Sequence, residues 1–101
     1  MRRAARIDAN QPAIVEALRK VGCRVQPLHM VGQGCPDIVA WTPNRGRLMF
    51  MEIKDGTKPP SKRALTEDEQ LWHDVWADAK RAGVVVVVAS VGEALEAVGA
   101  I

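Results

Sequence analysis

The sequence predicts an α/β domain, a mixed β-sheet flanked by helices in the order α-β-β-β-α-β-α. Three observations predict it. Two stretches, 10–21 and 66–82, carry apolar residues at helical spacing between recognisable caps. Between them lie three short β-like runs separated by glycine- and proline-bearing turns. A run of five valines then follows the second helical stretch, so this last strand reaches the sheet by a helical crossover, which favours parallel pairing.

Each element has its own justification. Residues 1–7, "MRRAARI", read as a basic arm. In "DANQPAIVEALRKVG", Asp8 or Asn10 can cap, Pro12 suits the first turn and Gly22 the exit. Gln11, Ile14, Val15, Leu18 and Val21 share one helical face, while Glu16 lies away from it. Residues 23–28 alternate as a strand. A loop with Gly32 and Gly34 leads to "PDIVAW" (36–41), a strand opened by Pro36. The turn "TPNRG" joins it to a strand over 47–54. Residues 55–65 form a basic loop. Thr66 and Glu69 make a capping box for a helix whose apolar stripe is Trp72, Val75, Trp76 and Ala79, ending at Gly83. Residues 84–90 read as a strand buried on both faces, with its valines in the core. Ser90 and Glu93 suggest a second capping box for a short final helix.

The 101 residues suit one domain over 1–101, with one core. The net charge of +2 conceals a gradient. Residues 1–64 carry twelve Lys/Arg against five Asp/Glu, and residues 65–101 carry two against seven. The basic part suits a polyanion; one basic and one acidic face is the plainer reading. Cys23 and Cys35 form neither a disulfide framework nor a metal spacing, with Cys23 expected in the core. With no signal-like start, and "GVVVVVA" too short to span a bilayer, the expectation is a reduced, cytoplasmic protein with no membrane partner.

The chemistry gathers at strand ends. In "FMEIKDG", Glu52 and Lys54 alternate with Met51 and Ile53, so they share a face. The strands 36–41 and 47–54 are expected to be antiparallel neighbours, which brings Asp37 beside Glu52 and Lys54. Two close carboxylates need neutralising. Lys54 does part of this, and a Mg²⁺ ion, which takes one or two carboxylates with waters and phosphate oxygens, does it better. Such an ion polarises a phosphoryl oxygen and acidifies bound water, with Lys54 placed to orient that water or to stabilise developing charge. The alternative is a self-neutralising buried ion network.

These residues carry a resemblance. "GCPDIVAW…LMFMEIKDG" resembles the PD-(D/E)XK nuclease signature, Pro36-Asp37 followed after fourteen residues by Glu52-Ile53-Lys54. In detail it is similar to the VRR-NUC branch, whose small stand-alone members are often phage-encoded. The supporting features are the first helix, Gly34 two residues before Pro36, "KDGTKPPS" and "LT-x-D", over roughly residues 8–97. The resemblance implies a restriction-endonuclease-like fold, similar to Holliday-junction resolvases, in a phage or bacterial protein that tends to form a homodimer. It also implies metal-dependent hydrolysis of DNA phosphodiesters, selective for a junction, flap or similar structure. Asp37, Glu52 and the Ile53 carbonyl would hold Mg²⁺ or Mn²⁺, and Lys54 would be the catalytic lysine.

At two places the chain departs from the family pattern. Where the family has a metal-supporting glutamate on the first helix, Gln11 stands, as a weaker helper beside Asn10. Where it has a glutamine early in the following helix, Glu69 stands, with Gln70 next to it; capping is the preferred role of Glu69. His73 is read as a solvated helical histidine in preference to a base or phosphate contact, and His29 as a loop histidine within possible reach of the site. Lys58, Lys62 and Arg63 are expected to contact phosphates without reading sequence, as are Arg2, Arg3 and Arg6 from the arm. Trp72 and Trp76 are read as core or a dimer seam. Two rivals to the nuclease are a catalytically inactive nucleic-acid-binding module of the same fold and a structural subunit that docks through its tryptophans.

Overall fold

A computed structural model of the chain describes residues 7–101, so Arg2, Arg3 and Arg6 of the expected arm lie outside the described residues. Helix α1 (Gln11–Lys20) buries Gln11, Ile14, Val15 and Leu18, as the helical spacing requires. Pro12 sits in its first turn, and Gly22 leaves it at φ +95°, a conformation that suits glycine. Val21 falls just past the last turn and is exposed, so the stripe is one residue shorter than expected. Asn10 occupies the N-cap position without capping. Its Nδ2 donates instead to the carbonyls of Lys54 and Ala89 at 2.9 and 3.3 Å, which ties α1 to the ends of two strands.

The sheet contains β1 (Arg24–Pro27), β2 (Ile38–Thr42), β3 (Arg47–Ile53) and β4 (Val85–Val88), in that spatial order. The first three form an antiparallel meander, and β4 pairs parallel to β3 after the helical crossover. In the β2–β3 register, Ile38 faces Met51 and Ala40 faces Met49. These side chains, with Ile53 and Val88, form the core with Ile14 and Leu18 of α1 and with Ala94 and Val98 at the end of the chain. Cys23 joins this core, as expected. Helix α4 (Val91–Ala97) carries Ala94. Its Ser90 Oγ accepts the Glu93 amide, but Glu93 accepts from Ala89, not Ser90, so only half of the second capping box forms.

The opposite face of the sheet is only partly covered. A short 3-10 turn (Pro60–Lys62) interrupts the basic loop. The expected single helix is then two, α2 (Glu67–Val75) and α3 (Ala77–Arg81), because Trp76 at ψ +27° leaves helical geometry. Trp72 and Trp76 stack at 4.7 Å, 7° from parallel, and both rings rest on Phe50 at 6.0 and 5.8 Å.

Two expectations about burial fail here. The face of α2 that meets the sheet is Glu69, Trp72, His73 and Trp76, an i, i+3, i+4, i+7 set that is half polar. Val75 points outward at 80 % exposure, while His73 is 1 % exposed and not solvated. The hydrophobic stripe shares Trp72 and Trp76 with the inner face, but polar Glu69 and His73 complete that face where the stripe has Val75 and Ala79. The valine strand is also not buried on both sides. As the edge strand it leaves Val87 exposed. At its outer end β3 likewise leaves Leu48 exposed.

Candidate active site

One step beyond the last β2–β3 ladder pair, Ile38 with Met51, stand Asp37 and Glu52. The Asp37 amide donates to the Met51 carbonyl at 3.0 Å, and its Oδ2 accepts the Ile53 amide at 2.6 Å. The aspartate is thereby clamped to β3 through both backbone and side chain. Asp37 and Glu52 are buried side by side, and each carboxyl group shifts the ionisation of the other. Lys54 follows two residues along the same strand face. The three groups expected to converge do so, and they open onto one cleft of about 360 Å³.

The electrostatics follow from burial. Desolvation raises the Asp37 pKa, against the opposing bonds from Glu52 and Ile53. Desolvation, then the neighbouring Asp37, pushes Glu52 up to about 10 from an ordinary value of 4.5. Without a cation the pair therefore holds a proton at neutral pH. Five carboxylates, Asp8, Asp37, Glu52, Asp68 and Glu69, line the cleft with a single lysine. Desolvation and the charges of Glu52 and Asp37 raise the thiol of Cys35, which also lines it.

Helix α2 supplies the second wall. Lys54 Nζ donates to Glu69 Oε1 at 2.6 Å, and the same oxygen accepts the Thr66 amide at 2.8 Å, while Glu69's own amide donates to Thr66 Oγ1. Glu69 thus completes the capping box and also holds the lysine. Burial lowers the Lys54 pKa, but Glu69 outweighs it and the net shift is upward. Burial raises that of Glu69, but Lys54 and the Thr66 amide outweigh it and the net shift is downward. One turn on, His73 Nε2 faces Glu52 Oε1 at 3.9 Å, and its Nδ1 lies 3.1 Å from Lys80 Nζ. Burial, then the charge of Lys80, lowers the His73 pKa.

Other sequence expectations fare differently. Gln11 and His29 line a separate hollow beside α1, not this cleft, and Gln11 is buried with its Oε1 unpartnered. Gln70 is exposed and donates to Asp74, so it too faces elsewhere. Lys58 and Lys62 are exposed on the loop after β3. Arg63 lines another hollow with Asn10, Asp55 and Glu93. Sequence reasoning missed Asp8 and Asp68, and it weighed His73 as a site residue but preferred a solvated orientation that the structure overturns. From sequence, Asp8 reads only as a candidate cap and Asp68 only as part of "LT-x-D" in the acidic first turn of α2, and the inward direction of His73 could have been found from its i+4 spacing to Glu69.

Among the described residues, no three His, Cys, Asp or Glu side chains form a ready-made metal cage. The donor set nevertheless fits a hard cation. Asp37, Glu52 and the Ile53 carbonyl are all oxygen donors, and Mg²⁺ needs only one or two carboxylates when water completes its shell. Glu52 Oε1 is moreover a buried acceptor with no hydrogen-bond partner.

No protein-family model, curated protein or solved structure matches this chain. Among the described residues, no helix is long and apolar enough to cross a membrane.

Proposed function

We propose that this chain is a Mg²⁺- or Mn²⁺-dependent nuclease that hydrolyses DNA phosphodiester bonds, with a restriction-endonuclease-like sheet and a VRR-NUC type of site. The observation that carries the reading is the meeting of Asp37, Glu52 and Lys54 at one cleft. Two buried acids side by side, with an amine two residues along, form a site that is electrostatically unfavourable until a cation enters. Bound there, a divalent ion would polarise a phosphoryl oxygen and acidify a water.

The chain's own groups do the rest. Asp37 and Glu52 would hold the ion, with the Ile53 carbonyl as a third oxygen. Asp8, at the cleft rim, is better placed than Gln11 to support it through water. Lys54, oriented by Glu69, would direct its ammonium at the attacking water or the developing phosphate charge. Lys58 and Lys62 would grip flanking phosphates without reading sequence. We assign the enzyme a structure-selective preference, for a junction, flap or similar substrate, and a homodimeric assembly, both on the family resemblance.

The second reading, a nucleic-acid-binding module without catalysis, draws on one feature. Lys54 is engaged by Glu69 at 2.6 Å and is not free in the cleft. A single assay separates the two. The protein is incubated with duplex, flap, four-way-junction and single-stranded DNA, and with RNA, in Mg²⁺, Mn²⁺ or EDTA. Cleavage that vanishes in chelator supports the enzyme; binding in EDTA with no metal-induced cut supports the module.

A further inference from the structure

Two buried polar atoms in this protein face one another without a hydrogen bond. Glu52 Oε1 and His73 Nε2 both lack partners, both side chains are 1 % exposed, and the atoms stand 3.9 Å apart. Buried polar atoms are rarely left unpaired, so a facing pair of them calls for a reason. On the far side of the ring, Lys80 Nζ lies 3.1 Å from His73 Nδ1. An ammonium carries only donors, so Nδ1 is the acceptor in that contact. The ring proton is then left on Nε2, the nitrogen that points at Glu52.

We propose that His73 is a positioning residue for Glu52: Lys80 fixes its tautomer, and its Nε2–H holds Glu52 Oε1 while the carboxylate engages a divalent cation. The role toward the cation rests on the reading of Glu52 as a metal ligand, whereas the tautomer rests on geometry alone. A carboxylate that binds metal through one oxygen leaves the other needing a donor, and here that oxygen is buried. Partners of this kind orient metal ligands, and contacts of this kind are commonly long before the ligand is loaded. Glu69 plays the matching part for Lys54, one helical turn earlier.

The test uses the full-length ¹⁵N-labelled chain. Long-range ¹H–¹⁵N spectra are expected to show His73 as the Nε2–H tautomer, with Lys80→Met raising the Nδ1–H fraction. A predominant Nδ1–H form in the parent overturns the proposal. Mn²⁺ affinity, read by electron paramagnetic resonance, is expected to fall about tenfold in His73→Leu. It should stay near the parent in His73→Gln, whose amide reaches the Nε2 position. Should the leucine variant not fold, His73→Asn decides, because its amide matches Nδ1 and is expected to fail as leucine does. A parent that binds Mn²⁺ no better than the leucine and asparagine variants overturns the positioning role and leaves the metal reading standing. A parent that binds no Mn²⁺ at all overturns both.

Discussion

Lys54 and Glu69 are joined by a 2.6 Å ion pair in which both side chains are largely buried, and the glutamate oxygen that accepts the ammonium also caps the helix it stands on. The pair has a companion in Glu52 and His73. Residues two apart on a strand are separated by about 6.6 Å, and residues four apart on a helix by about 6 Å along its axis. The matched spacings let α2 address Glu52 and Lys54 with consecutive turns. The helix therefore acts as a template for the charged end of β3.

Removing Glu69 breaks a cap and a buried ion pair together. Glu69→Ala is expected to cost about 2 kcal/mol, and Glu69→Gln, which keeps an acceptor for Thr66 and Lys54, about 1 kcal/mol. Urea unfolding at pH 7 measures both, and equal stability of parent and alanine variant would contradict the pairing. The depressed Glu69 pKa makes its contribution present above pH 4.5 and lost as pH falls through the lowered value. The raised Lys54 pKa makes its contribution present below pH 10.5 and lost as pH rises through the raised value.

Glu52 works in the opposite sense. Its pKa is raised from 4.5 to about 10, so between those values the native state binds more protons than the unfolded state. Its contribution to stability therefore falls as pH rises across that window. Glu52→Gln, which keeps a donor for Asp37 and carries no charge, is expected to be more stable than the parent at pH 8 in EDTA. The gap should narrow toward pH 5. Saturating Mg²⁺ should raise the parent's melting temperature and leave the variant's unchanged. Thermal melts over this pH range, with and without Mg²⁺, check both statements.

Gly34 places the loop before Asp37 against α2. A Cβ there would lie 2.1 Å from the Asp68 carbonyl oxygen, and the residue sits at φ +78°. Gly34→Ala is expected to cost about 1–2 kcal/mol from backbone conformation alone, with the clash added. Because the obstacle is backbone, α2 must move, so Glu69 should lose its hold on Lys54. Unfolding free energies and the Lys54 side-chain NMR signal would show it; an alanine variant as stable as the parent would refute the contact.

Under the proposed function, Glu52→Ala and Lys54→Ala should each abolish detectable cleavage, a loss of at least about 10²-fold, while far-UV circular dichroism stays unchanged. Variants that cut as well as the parent would place the chemistry elsewhere.

Much of this architecture was legible in the chain. The α1 stripe, Pro12 and Gly22 bounded the first helix, and the Thr66–Glu69 box marked the start of α2. The alternation in β3 placed Glu52 and Lys54 on one face, and the short turn after β2 brought Asp37 to them. The inner face of α2 was not legible. Periodicity detects apolar residues, and here half of the inward positions are Glu69 and His73. The valine strand misled for a related reason, since composition does not say which strand ends at an edge.

By itself the sequence determined the strands and their order, the first helix and the convergence of Asp37, Glu52 and Lys54, because local spacing and a two-residue side-chain period suffice for that. Only the tertiary structure decided which residues surround the convergence. It put Gln11 in the wall of another hollow, brought Asp8 to the rim, and set His73 and Glu69 against the charged strand end. The physical reason is that a helix's rotation about its axis is set by what it packs against, and here polar partners, Lys54 and Glu52, share that role with Phe50.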